Sequence, residues 1–205
     1  MPLTAPGIAL ALAISAAQDP AALAHRVQTY YEKTKDIEAN FVQTYTYAAA
    51  MHGQTSSGML RAKKPGKLRW DYLEPAKKTI VVNGSRLVQY EPEANQAYLD
   101  EHFDASAMSA AVTFLLGTGR LEKEFTLSST AQGELTLTPK KPDSRVESIV
   151  LTVGKEGDVT ATRVVDGQGN VNSITFTKLR QNVGLKDSAF VLDLPRDVHV
   201  LNPPH

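Results

Sequence analysis

The spacing of apolar positions changes once in the first quarter of the chain, and the change predicts the order of elements. Asp19-Pro20 is a helix start, with Asp as cap and Pro at the first helical position. Leu23, Val27, Tyr30, Tyr31 and Ile37 then recur near helical spacing, which predicts a helix of about four turns with one apolar stripe. From Ile37 the period becomes two. Ile37, Ala39, Phe41, Tyr45 and Tyr47 share one strand face, Glu38, Asn40, Thr44 and Thr46 the other, and a turn containing His52-Gly53 follows.

Alternation continues downstream. Met59 to Lys63 reads as a strand running into the tight connection Lys64-Pro65-Gly66. Leu68, Trp70 and Tyr72 then alternate with Lys67, Arg69 and Asp71, one dry face against one wet face. Thr79 to Val82 and Leu87 to Tyr90 flank the turn Asn83-Gly84, and Ala97 to Leu99 adds a further strand. Asp104 or Ser106 caps a second predicted helix with Met108, Val112, Leu115 and Leu116 on its apolar side and Gly117 as its stop. Phe125 to Leu127, Leu135 to Thr138, Ser148 to Val153, Thr160 to Val165 and Val171 to Leu179 are strand-like, with a hairpin turn at Asp166 to Asn170 and a last strand near Phe190 to Leu194. About ten to eleven antiparallel strands and two principal helices predict an α+β fold with one long, strongly curved sheet.

Composition narrows the function. A chain of 205 residues is long enough for one domain with a full core and short for two. Twenty-two basic against 22 acidic residues leave no electrostatic excess for nucleic-acid phosphates or a polybasic membrane anchor. The absence of cysteine excludes disulfide scaffolds, thiolate metal sites, cysteine nucleophiles and cysteine-attached lipid. The five histidines show no metal-ligand spacing, and no G-x-S-x-G elbow occurs. Neither a metal nor a cofactor is expected, and the acidic stretch Asp100, Glu101 and Asp104 around His102 is read as a loop and helix cap in preference to an acid/base cluster.

Residues 1–17 carry no charged side chain, their apolar run is too short to span a bilayer, and they end in Ser15-Ala16-Ala17. They read as a signal peptide cleaved before Gln18, which predicts export to the periplasm and a single mature domain over 18–205. No Lys or Arg precedes the apolar run, so a plain Ala-rich tail is the alternative. Of the 14 aromatic residues, 11 lie between Tyr30 and Phe114. An ordinary core explains that distribution, and so does a sheet lined with bulky groups and lidded by two helices.

The run Ser57-Gly58-Met59-Leu60, Lys63 to Tyr72 with Pro75, Val82-Asn83-Gly84 and Leu87 to Pro92 resembles the periplasmic lipoprotein carrier family LolA. Asn40-Phe41-Val42-Gln43 and Ala189 to Pro195 are similar to that family's early strand and closing segment. The resemblance implies an unclosed antiparallel β-barrel whose mouth is covered by helices, enclosing a hydrophobic cavity for acyl chains. It implies a monomeric, non-enzymatic chaperone that takes acylated lipoproteins from an inner-membrane ABC transporter to the outer membrane, where an outer-membrane receptor can accept them. On this reading Phe41, Leu60, Leu68, Trp70, Tyr72, Val81, Tyr90, Met108, Val112 and Leu115 line the cavity, while Lys63, Lys64 and Lys67 serve lid gating or partner docking.

Departures from the family pattern are specific. Lys64 stands where the resembled motif carries an arginine associated with holding the lid closed, and lysine lacks the planar five-donor fork. Leu68 and Val88 replace bulkier aromatics, which predicts a cavity of altered shape. Five basic residues fall within Arg61 to Arg69, a solvated hairpin rim on the plainest reading and a docking rim for the transporter or anionic lipid on the functional one. The competing roles are a lipid esterase, a periplasmic stress sensor that reads lipoprotein or lipid, and a general lipid-transfer protein. A lipid-anchored receptor of similar fold needs an N-terminal cysteine that the sequence lacks.

Overall fold

Asp19 starts the first helix as its sequence requires: its carboxylate accepts from the Ala21 N–H at 3.1 Å, and Pro20 takes the first helical position. In this computed structural model, which describes residues 18–50, 52–104 and 120–203, the helix is α1 (Pro20–Lys33), with Leu23, Ala24, Val27 and Tyr31 buried. Ile37 is not part of its stripe, because the chain turns to strand conformation at Asp36. The second predicted helix, and with it Met108, Val112 and Leu115, lies outside the described residues, as does the leader 1–17. No helix among the described residues is long and apolar enough to cross a membrane.

In chain order the strands are β1 (Asp36–Thr46), β2 (Gly53–Lys63), β3 (Lys67–Glu74), β4 (Lys78–Asn83), β5 (Arg86–Glu91) and β6 (Gln96–Asp100). A short helix α2 (Leu121–Glu124) then leads into β7 (Phe125–Ser129), β8 (Glu134–Pro139), β9 (Ser148–Val153), β10 (Val159–Val165), β11 (Val171–Gln181) and β12 (His199–Leu201). All twelve form one sheet, ordered β12-β6-β5-β4-β3-β2-β1-β11-β10-β9-β8-β7. Hairpins build both halves, and β11 returns from the far half to pair with β1. No pairing joins β7 to β12 among the described residues, so the α+β fold is an unclosed barrel.

Three details differ from the sequence expectation. β2 begins at Gly53, six residues before Met59, because Gly53 to Ser57 pair fully with β1 despite their polarity. Phe190 to Leu194 is not a strand: Asp187–Phe190 form a 3-10 turn and an extended stretch follows. The last strand is β12, the one parallel partner in the sheet among the described residues, lying beside β6. The tight turn at Lys64-Pro65-Gly66 is as expected, with Gly66 at φ +62°, where a Cβ is disfavoured.

The core divides along one face of the sheet. α1 lies against β7 and β8, and Leu23, Val27 and Tyr31 pack with Phe125, Leu135, Leu137, Ile149 and Leu151. A second cluster, Ala39, Phe41, Leu60, Ala62, Leu68, Trp70, Val82, Ile174 and Phe176, fills the same face at β1 to β4 and β11. Leu179 packs against both. Each large apolar side chain so buried contributes about 1.5–3 kcal/mol relative to exposure, which makes this face the main source of stability.

Candidate functional site

Pairing register decides which side chains share the inner face. Ala39, Leu60, Trp70 and Ile80 stand in one row across β1 to β4, and Leu68 pairs with Val82 in the row beside it. In the next row Phe176, Phe41, Gly58, Tyr72 and Lys78 follow one another. Phe41 meets Trp70 edge-on at 5.2 Å between ring centroids and Tyr72 edge-on at 5.1 Å, while Trp70 and Tyr72 stack at 6.2 Å. These are the offset and T-shaped arrangements that ring quadrupoles favour. Gly58 makes room for them: a Cβ there would stand 3.0 Å from the Phe41 ring and 1.9 Å from the Asp71 carbonyl oxygen.

Of the strand residues assigned to a cavity, Phe41, Leu60, Leu68, Trp70 and Tyr72 therefore come together on one face. Val81 and Tyr90 do not. Val81 pairs with Arg69 and Val88, and Tyr90 with Thr79, so both stand on the opposite, outer face. Val88 stands with them, and its replacement of an aromatic does not bear on the inner face. The inner positions of β4 are Ile80 and Val82. Periodicity missed them because Ile80, Val81 and Val82 form an unbroken apolar run, for which alternation assigns no face. Phe176 and Ile174 were missed for a different reason: they reach Phe41 only through the β1–β11 pairing across more than 130 residues of sequence.

The apolar face grades into polar groups toward one end of the strands. The Tyr72 hydroxyl donates to Gln43 Oε1 at 2.8 Å, and Gln43 Nε2 donates to Asn172 Oδ1 at 2.9 Å. Lys78 Nζ stands 4.6 Å from the Tyr72 ring centroid. Burial pushes the Tyr72 hydroxyl up to about 12. A pocket of about 390 Å³ opens beside these residues, bordered by Ser56, Tyr72, Pro75, Lys78 and Glu91. No group of three or more potential metal ligands exists among the described residues.

All five basic residues of the Arg61 to Arg69 stretch have partners within the chain. Lys63 and Lys67 both pair with Asp187, at 2.6 and 2.7 Å. Arg69 binds the Asp71 carboxylate and donates to the Ala189 and Val191 carbonyls. Arg61 bridges Glu38 and Asp71, and Arg180 completes the line at Glu38, whose carboxyl is held below its usual range by the Arg61 hydrogen bond. These contacts lie on the outer face, where the Asp187–Phe190 turn packs against β3 and β4 with Phe190 buried. The Lys64 ammonium instead donates to the Tyr31 carbonyl in the last turn of α1, and burial lowers its pKa.

Asp36 completes the attachment of the C-terminal segment and was not anticipated from sequence. Its buried carboxylate accepts from the N–H groups of Val183, Gly184 and Leu185, at 2.7 to 3.3 Å. Asp36 and its partners lie at opposite ends of the sequence, so no local pattern marks it.

An unclosed antiparallel barrel, helix-covered on one half of its inner face and aromatic on the other, sets the class of protein. Comparison with known sequences sets the family. The family model described as outer membrane lipoprotein carrier protein LolA matches residues 32–193, and the chain belongs to this family. Relatives named outer-membrane lipoprotein carrier protein are 30% identical over 200 residues in Cupriavidus necator, covering 93% of this chain and 94% of the relative, and 29% identical over 180 residues in Dechloromonas aromatica, covering 86% of each. An uncharacterized conserved protein from Thermus thermophilus shares the fold, with a TM-score of 0.56 at 11% identity over 91% of this chain and 100% of that one.

Proposed function

We propose that the protein is a periplasmic carrier that shelters the acyl chains of lipoproteins against the inner face around Phe41 and Trp70. The family match over residues 32–193 carries this reading, since the family's description and the names of the similar proteins are those of outer-membrane lipoprotein carriers. The physical need is plain. Exposing an acyl chain to water costs roughly 0.8 kcal/mol per CH₂, on the order of 10 kcal/mol for one long chain, so unaided passage through an aqueous compartment is negligible.

An apolar face under movable cover meets that need, because cover and cargo compete for one surface and net affinity stays moderate. No bond is made or broken. On this reading cargo arrives from an inner-membrane ABC transporter, which supplies the direction of transfer, and leaves for the outer membrane with or without a receptor there. Residues 1–17 act as the cleaved export signal, and 18–205 work as one monomeric carrier domain.

The test is mass spectrometry of ligands retained when the protein is purified from its native periplasm. Acylated lipoproteins are expected; recovery of free phospholipid alone would replace this role with general lipid transfer.

A further inference from the structure

No Asp, Glu, Lys or Arg lies between Glu38 and Arg61, although such residues make up 21% of the chain. This uncharged run is the β1–β2 hairpin, and its exposed apolar groups gather at the tip. Tyr47 is 45% exposed, more than any other Phe, Tyr or Trp among the described residues, and Ala48, Ala49 and Ala50 stand exposed beside it. Tyr45 meets the Tyr47 ring edge-on at 4.8 Å between centroids, and the His52 ring lies 6.2 Å from it.

The tip projects and is braced from one side. The last β2–β3 pair is Ser57 with Glu74, so Gly53 to Ser56 carry the hairpin past that pair by roughly 13 Å. On the other side, Asn170 Oδ1 in the β10–β11 turn accepts from the Ala48 N–H at 3.1 Å. Asp166, the acid of that turn, accepts from Gln168 and Asn170. Within the tip, the Tyr47 N–H donates to the His52 carbonyl and the Ala50 N–H to the Tyr47 carbonyl, and His52 Nδ1 lies 3.2 Å from the Ala50 carbonyl oxygen. The tip thus faces outward with rings and methyl groups, while these main-chain groups are paired inside the protein.

That combination selects a partner. Protein interfaces centre on large anchors seated in pockets and ringed by polar groups, and three alanines on a turn supply no such anchor. The head-group region of a bilayer asks for less. Tyrosine favours it because the ring is apolar while the hydroxyl stays wet, and the lack of formal charge removes the main cost of approach. Main-chain groups already paired lower that cost further.

We propose that the β1–β2 tip, Tyr47 to Ala50 with Tyr45 and His52 behind, makes a shallow contact with the head-group region of a lipid bilayer. The contact is carried by the Tyr47 ring and not by charge, and a single exposed ring keeps it weak and transient. It uses none of Phe41, Leu60, Leu68 and Trp70, so it stands or falls apart from the carrier reading.

The absence of cysteine allows a site-specific test. Ala49→Cys places one environment-sensitive nitrobenzoxadiazole label on the tip, and Ser85→Cys places the same label in the β4–β5 turn at the opposite end of the sheet. Each labelled protein is titrated with vesicles of phosphatidylcholine alone and with vesicles of phosphatidylethanolamine and phosphatidylglycerol. The label at 49 brightens about twofold or more and shifts to the blue with both vesicles, while the label at 85 is unchanged. Partition at low and high salt agrees within about twofold, as an uncharged contact requires. Adding Tyr47→Asp to the tip-labelled protein cuts partition about fivefold or more. The comparison of the two label positions needs no charged variant, so a folding defect in Tyr47→Asp does not cloud it. No response at 49, an equal response at 85, or partition that a folded Tyr47→Asp variant leaves intact would each overturn the proposal. Binding to the anionic vesicles alone, abolished by salt, would assign the contact to lysines and overturn it as well.

Discussion

The Lys64 ammonium donates to the main-chain carbonyl of Tyr31, tying the β2–β3 turn to the last turn of α1. A cation belongs at a helix C-terminus, where carbonyls lack intrahelical partners and the dipole is negative. Only one donor is engaged here, so the arginine fork of the resembled motif is not needed for this contact. Lys64→Met removes it at a cost of about 1 kcal/mol, or a drop of about 2–4 °C in Tm for a chain of this size. Amide exchange at Tyr30 to Lys33 rises with it. Unchanged exchange there would show that the lysine does not hold the helix end.

Asp187 governs the C-terminal segment through charge. Hydrogen bonds from Lys63 first and Lys67 second hold its carboxyl down from the usual 3.8 to about 2. A folded pKa below the unfolded one means that the contribution is complete above about pH 4 and is lost as the pH falls toward 2. Exchange protection at 187–191, corrected for intrinsic rates, is expected to fall across that window in the wild type. In Asp187→Asn it is already reduced at pH 6. Full protection of the Asn variant at both pH values would refute the clamp.

Gly58 is the tightest point of the aromatic row. An added methyl meets the Asp71 carbonyl at 1.9 Å, a backbone atom that cannot turn aside. Gly58→Ala therefore costs about 3 kcal/mol by overpacking, and β2 and β3 separate locally. Thermal or urea unfolding measures it, and a change below about 1 kcal/mol would mean that the register shift between Ser57 and Gly58 in the β2–β3 pairing absorbs the methyl.

Face assignment makes a paired prediction. Trp70→Ala removes a ring in contact with Phe41 and Tyr72, costs about 3–5 kcal/mol, and weakens binding of a hydrophobic dye. Tyr90→Ala, on the outer face, leaves dye binding unaltered. Dye fluorescence titration of both variants checks the pair. Loss of binding in Tyr90→Ala with retention in Trp70→Ala would place the apolar site on the wrong side of the sheet.

Much of the barrel was legible locally because hairpins are local. The alternation of Leu68, Trp70 and Tyr72 fixed the inner face of β3, and the Pro and Gly turns fixed where strands begin. β12 escaped notice because His199, Val200 and Leu201 are all exposed and show no buried face. Phe190 misled for the opposite reason: it is buried, but from a 3-10 turn laid across other strands.

The basic stretch shows the same division. Sequence alone placed five cations on one hairpin, determined the capped helix at Asp19, and joined the motif to a family. It could not give the cations their partners, since Asp187, the Tyr31 carbonyl and Glu38 lie on other elements. Likewise Val81 and Val82 are chemically identical, and only the register with Leu68 and Arg69 turns one inward and the other outward. Short-range periodicity records how often a side chain meets the core. Which core it meets, and which charge it neutralises, is decided by pairing between distant strands.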